Sequence, residues 1–198
     1  NVLLMQPVFL IGFMGAGKTT LGRALSGSNA FPGAARLDYV DLDELIERHE
    51  GLSVREIFRT RGEAAFRSLE SRMLREAACR NDVIIGCGGG TPCHSGNMEW
   101  MNAHGVTVLL EASLPVLVRR LLEAQAQRPL LAGLAPSEIE AFVKSKLLER
   151  EPFYSLAQVR FPSDRLESEA EIAESCNEFY KVLDLLNNSE IVYGHRDR

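Results

Sequence analysis

Apolar and polar positions alternate between two periods along this chain. Short apolar runs at residues 8–11, 37–40, 83–86, 106–110 and 159–161 are separated by longer stretches in which apolar positions recur at three- and four-residue steps. Strand-length runs interleaved with amphipathic helical stretches predict an α/β protein, a parallel sheet covered by helices on both faces. Helix starts are marked by two capping-box spacings, Ser53-x-x-Glu56 and Ser168-x-x-Glu171, and by Ser113 ahead of Pro115. From 168 to 186, the residues Ile172, Ala173, Cys176, Phe179, Tyr180, Leu183 and Leu186 keep helical spacing, which predicts a closing helix packed on the sheet.

Composition narrows the setting. The chain has 198 residues, of which 45% are hydrophobic, and no Pro/Gly/Ser-rich or charge-dense stretch divides it, so one domain over 1–198 is expected. A net charge of −5 disfavours a nucleic-acid partner, because binding to phosphate backbones needs clustered Lys and Arg. No apolar run approaches the roughly 20 residues that span a bilayer, and residues 1–10 lack the basic start of a secretory signal. A cytoplasmic monomer acting on small molecules, with no membrane partner, is the expectation. Cys79, Cys87, Cys93 and Cys176 form no C-x-x-C pair and are read as reduced thiols. The four histidines show no H-x-x-x-H pair, so a zinc site has little support and any metal is expected to be Mg²⁺ carried in with nucleotide.

In open parallel sheets ligands gather beyond the carboxyl ends of the strands, so the residues after each strand were read for chemistry. After the first run comes Gly12-Phe13-Met14-Gly15-Ala16-Gly17-Lys18-Thr19-Thr20, the spacing of a phosphate-binding P-loop. Its backbone N–H groups, notably around Gly15, Ala16, Gly17 and Thr20, and the helix N-terminus behind it suit the phosphates of a nucleoside triphosphate. Lys18 would reach the β- and γ-phosphates and the Thr19 hydroxyl would ligate Mg²⁺. After the second run come Asp41 and Asp43, which in extended chain would face the same side while Leu42 faces the core. Asp41 would then hold the metal's water shell and Asp43 would take or orient the proton of an acceptor hydroxyl; alternatively Asp43 only N-caps a helix over 44–50. After the third run, Gly88-Gly89-Gly90 suits a ligand edge or a tight turn equally.

Arginines complete the candidates. Arg59, Arg61 and Arg67 lie in the stretch 57–70 and, taken alone, read as solvated helix-face charges. Residues 124–137 read as a lid that would exclude water, with Arg128 placed to meet the γ-phosphate. Arg150, in Arg150-Glu151-Pro152-Phe153-Tyr154, is a second arginine at the end of the next helix and reads there as a dipole charge.

Taken in order, GFMGAGKTT, DLDELIE (41–47), IFRTRGEAAFRSLE (57–70), GGG (88–90), RPLL (128–131) and REPFY (150–154) closely resemble the shikimate kinase family over about residues 7–165. The resemblance implies a P-loop NTPase fold of the nucleoside-monophosphate-kinase type: three layers, α/β/α, around a five-stranded parallel sheet, with a shikimate-binding subdomain (about 41–70) and a lid. It implies phosphorylation of the 3-hydroxyl of shikimate by Mg·ATP, a step towards chorismate and the aromatic amino acids. It further implies shikimate contacts from Asp43, Arg67, Gly89 and Arg150, with Arg67 and Arg150 clamping the carboxylate. Lys18, Asp43 and Arg128 become the catalytic set, and Arg120 is expected against adenine. Two other readings are a P-loop kinase for another small hydroxylated acid such as gluconate, and a non-catalytic nucleotide-binding relative. A GTPase is disfavoured because no Asn is followed by Lys. Residues 26–37 and the tail after 188 depart from the pattern, and 191–198 read as an extension outside the fold.

Overall fold

The computed structural model describes residues 6–27, 37–125 and 133–193, the side chains from 187 onward excepted. Arg128, half of the expected lid (126–132) and most of the irregular stretch 26–37 lie outside the described residues.

The elements run β1 (Val8–Ile11), α1 (Lys18–Gly27), β2 (Asp38–Asp41), α2 (Leu42–Glu50), α3 (Val54–Ala77), β3 (Val83–Gly86), a 3₁₀ turn (Thr91–Cys93), α4 (Asn97–His104), β4 (Val106–Glu111), α5 (Leu114–Glu123), α6 (Pro136–Tyr154), β5 (Val159–Pro162) and α7 (Glu169–Tyr193). The strands form one five-stranded sheet in the order β2-β3-β1-β4-β5, and every pairing is parallel. The expected three-layer α/β/α architecture follows from how β1 is buried. Val8 and Leu10 pack on one side with Leu21 and Leu25 of α1, Leu117 and Leu121 of α5, and Phe179 of α7. Phe9 and Ile11 pack on the other with Leu42 and Ile46 of α2, Phe66 and Leu74 of α3, and Met98 and Met101 of α4. A strand covered on both faces has no polar side to show, which is why β1 reads as an unbroken apolar run.

The helix punctuation is largely as expected. Ser53 and Glu56 form a reciprocal capping box at the start of α3, and Ser168 and Glu171 exchange the same pair of bonds ahead of α7. Ser113 stands at the N-cap of α5 without a side-chain bond; instead its N–H donates to Asp164 Oδ1 at 2.6 Å, fastening α5 to the segment after β5. Three details differ from expectation. β2 begins one residue later than the run 37–40, at Asp38, with Leu37 buried before it. Helix α3 is broken at Gly62, whose φ of 80° and ψ of 170° are not helical. Residues 191–193, expected outside the fold, continue α7.

What this topology does for function is set by β1. Its neighbours β3 and β4 belong to crossovers that run to opposite edges of the sheet, which opens a crevice at the carboxyl end of β1, where the Gly-rich loop lies.

Candidate active site

A cavity of about 360 Å³ opens at that crevice, lined by Met14, Gly15, Gly17, Lys18, Thr19, Thr20, Asp41, Asp43, Gly88, Gly89 and Arg120 among others. Residues from the ends of β1, β2 and β3 therefore meet in one space. Gly12 has a φ of +140°, and a Cβ there would stand 2.7 Å from the Leu110 carbonyl oxygen of β4. Only glycine lets the loop leave β1 so close to its neighbour strand. Lys18 opens α1 and folds its side chain back over the loop, donating from Nζ to the carbonyls of Gly12 at 2.7 Å and Phe13 at 2.9 Å.

Arg120 reaches the loop from α5. It donates from Nη1 to the Gly15 carbonyl (3.0 Å), from Nη2 to the carbonyls of Ser163 (3.1 Å) and Asp164 (3.0 Å), and from Nε to Glu167 (2.9 Å). The guanidinium thus ties the P-loop to the segment after β5 while still lining the cavity.

Asp41 organises the next wall. It is the N-cap of α2: Oδ1 accepts from the N–H groups of Asp43 (3.1 Å) and Glu44 (3.4 Å), while Oδ2 accepts from Thr19 Oγ1 (3.1 Å) and Tyr39 Oη (3.2 Å). Two expectations need correction here. Asp43 is not in extended chain, and it is not the helix cap; the chain turns helical at Leu42, and Asp43 lies in the first turn. Leu42 nonetheless enters the core and Asp43 the cavity, because successive helical side chains point about 100° apart. Burial, reinforced by the carboxylates of Asp41 and Glu70, pushes the Asp43 pKa up to about 6, against the opposing pull of Lys18. Burial, chiefly, also pushes the Tyr39 hydroxyl up, so that it remains a donor.

The Gly88–Gly90 turn forms the third wall and brings two arginines to it. A Cβ on Gly89 would stand 2.7 Å from Arg150 Nη1, 3.4 Å from the Gly12 oxygen and 3.6 Å from the Met14 nitrogen. A Cβ on Gly90 would stand 3.0 Å from Arg67 Nη2. At Gly89 the turn therefore meets both the Arg150 guanidinium and the P-loop backbone, and at Gly90 the Arg67 guanidinium. Arg150 arrives from α6 with its Cζ 5.2 Å from the Phe13 ring centroid, and its Nη1 is buried with no hydrogen-bond partner among the described residues. Arg67 arrives from α3, flanked by Phe58 and Phe66 and paired with Glu63 at 3.3 Å and Glu70 at 2.8 Å.

Several residues in this wall were not singled out by sequence reasoning. Glu70 is 1% exposed and also accepts from Thr91 Oγ1 at 2.5 Å. Tyr154 donates to the Gly89 carbonyl at 2.7 Å, and burial raises its pKa to about 12. The three-residue step from Arg67 to Glu70 was a visible helical pairing signal; the long-range partners Thr91 and Tyr154 left none. Arg61 instead pairs with Glu50, and Arg59 is exposed.

The shikimate kinase family pattern matches residues 14–181. A shikimate kinase of Phocaeicola vulgatus is 45% identical over 179 residues, 90% of this chain and 99% of that one. The chain belongs to the shikimate kinase family. A second family member, from Parabacteroides distasonis, is 42% identical over 90% of this chain and 100% of its own. Among solved structures, the shikimate kinase of Bacteroides thetaiotaomicron superposes with a TM-score of 0.84 at 43% identity, covering 91% of this chain and 99% of that chain. The shikimate kinase of Acinetobacter baumannii, solved in complex with shikimate, superposes with a TM-score of 0.75 at 27% identity, covering 93% and 94%. Among the described residues, no helix is long and apolar enough to cross a membrane.

Proposed function

We propose that this chain transfers the γ-phosphoryl group of ATP to the 3-hydroxyl of shikimate, giving shikimate 3-phosphate and ADP. The observation that carries the reading is the pair Arg67 and Arg150, held against a glycine turn that also meets the P-loop backbone. Two guanidiniums suit one carboxylate, and a P-loop beside them suits the donor phosphates.

The roles divide by wall. Backbone groups of Gly15, Ala16, Gly17, Thr19 and Thr20 cradle the phosphates, and Lys18 turns from the Gly12 and Phe13 carbonyls to the β- and γ-oxygens. Asp43 accepts the proton of the acceptor hydroxyl as its oxygen bonds to the γ-phosphorus and the bond to ADP breaks; a pKa near 6 leaves it mostly ionised at neutral pH and still basic enough to help. Gly89 and Asp43 orient the ring hydroxyls. Arg128 is assigned to the γ-phosphate and Arg120 to the adenine side, following the family resemblance.

Thr19 and Asp41 fit Mg²⁺, since their oxygens stand 3.1 Å apart at the cavity wall and hard oxygen donors suit that ion. When bound with nucleotide, the ion offsets the charge that gathers on the phosphate oxygens.

A shikimate titration of Arg67→Ala tests the reading. Losing a charge-assisted pair predicts roughly ten- to hundredfold weaker binding. Unchanged affinity would return Arg67 to a structural charge and remove the acceptor site.

A further inference from the structure

Tyr39 stands in a slot built for it. Its ring runs between α1 and β3: a Cβ on Gly22 would overlap the ring edge, and a Cβ on Gly86 would overlap the hydroxyl. Gly86 is the register partner of Asp41 on one side and of Leu10 on the other. Two elements therefore present bare backbone at the same place, and the room so made is filled by a tyrosine side chain whose hydroxyl reaches Asp41 Oδ2 at 3.2 Å. Thr19 Oγ1 meets that same oxygen at 3.1 Å. The other oxygen of the carboxylate is taken by the first N–H groups of α2. Asp41 is thus fixed from three directions: its own helix, the P-loop threonine and Tyr39.

These three holds do not stand on equal terms once nucleotide and metal arrive. The Thr19 oxygen is the atom read above as a metal ligand, so its bond to Asp41 is the one that metal binding rearranges. The cap on Oδ1 leaves Oδ2 to other donors. Tyr39 and Thr19 share Oδ2, so when Thr19 turns to a metal Tyr39 is the donor that stays, on a ring that the two glycines clasp.

We infer that Tyr39 is a positioning residue for the metal: through its hydroxyl it keeps the Asp41 carboxylate turned to the cation site while Thr19 exchanges partners. The inference rests on the reading that Thr19 and Asp41 hold Mg²⁺ with nucleotide.

Tyr39→Phe tests it, because the ring still fills the slot and only the hydroxyl is lost. The readout is Mn²⁺ binding to the enzyme–ADP complex, followed by the electron paramagnetic resonance of free Mn²⁺, with Asp41→Asn beside it. Loss of one hydrogen bond to a charged group predicts about five- to tenfold weaker Mn²⁺ binding in Tyr39→Phe. ADP affinity in EDTA and the thermal midpoint in EDTA should match the parent. If Mn²⁺ binds Tyr39→Phe as tightly as the parent while Asp41→Asn weakens it, the positioning role is overturned and the metal reading stands. If neither variant weakens Mn²⁺, the metal reading falls and the inference with it. Equal losses with and without metal would make Tyr39 a packing residue and overturn the inference too.

Discussion

Arg67 donates from Nη1 to Glu70 at 2.8 Å, and Glu70 lies 1% exposed beneath it, held from its other oxygen by Thr91. A buried carboxylate with two donors is a rigid mount for the guanidinium proposed to meet the acceptor's carboxylate.

Glu70→Gln should loosen that mount without opening a cavity. The expected result is a KM for shikimate about tenfold higher, consistent with losing one charge-assisted bond, and a kcat within a few-fold of the parent. Because the Glu70 charge helps to raise the Asp43 pKa, the acidic limb of the rate profile should also move to lower pH. Initial-rate kinetics across pH check both effects; an unchanged KM would mean that Arg67 is held adequately by Glu63.

Asp43 links activity and stability with opposite signs. In its proposed role as proton acceptor it must be ionised, so kcat should fall below about pH 6. Its folded pKa lies above the ordinary 3.8, so the native state holds the proton more tightly than the unfolded chain. The associated stability is fully present below pH 3.8 and lost as pH rises through about 6, leaving a penalty on the order of 2 to 3 kcal/mol above that. Asp43→Asn should therefore remove most turnover, preserve ATP binding and raise the thermal midpoint at pH 7.5, with the gain vanishing near pH 4. A variant that keeps its turnover would show Asp43 to be a positioning group only.

Gly89→Ala addresses the turn between the two substrate sides. The added methyl would meet Arg150 Nη1 at 2.7 Å, and the far end of an arginine can move aside. Little loss of stability is expected, since backbone φ at Gly89 lies outside the left-handed range. Displacing the guanidinium should weaken shikimate about tenfold, by the measure of one charge-assisted bond, and leave ADP affinity nearly unchanged. Calorimetric titration of each ligand separates the two.

The fold was legible because β1 and β3 are apolar at every position, with helical periods between the strands. The Gly-rich loop was legible as one contiguous segment, and the structure places it at the carboxyl end of β1, lining the cavity. Asp43 lines the cavity for a reason other than strand alternation: Asp41 caps a helix, and Asp43 lies in its first turn. Arg67 and Arg150 could not be told from surface charges by local pattern, because what distinguishes them is Gly89 and Gly90 approaching from elsewhere in the chain. The family resemblance raised both, and the geometry gives the physical reason. Thr91, Tyr154 and Tyr39 act through contacts 21, 65 and 2 residues distant in sequence; Thr91 follows the GGG run and Tyr154 closes REPFY, but neither motif names the distant partner.

The most direct measurement is ADP release from Mg·ATP in a coupled assay, with shikimate or gluconate as the added acceptor. The expected result is ADP formation that saturates with shikimate, gluconate giving rates lower by about 10⁴-fold or more, because a site that hydrogen-bonds particular hydroxyls rejects analogues that mismatch them. ADP release that is unaffected by shikimate, or that follows gluconate equally, would contradict the assignment of Arg67, Arg150 and Asp43 to a shikimate site.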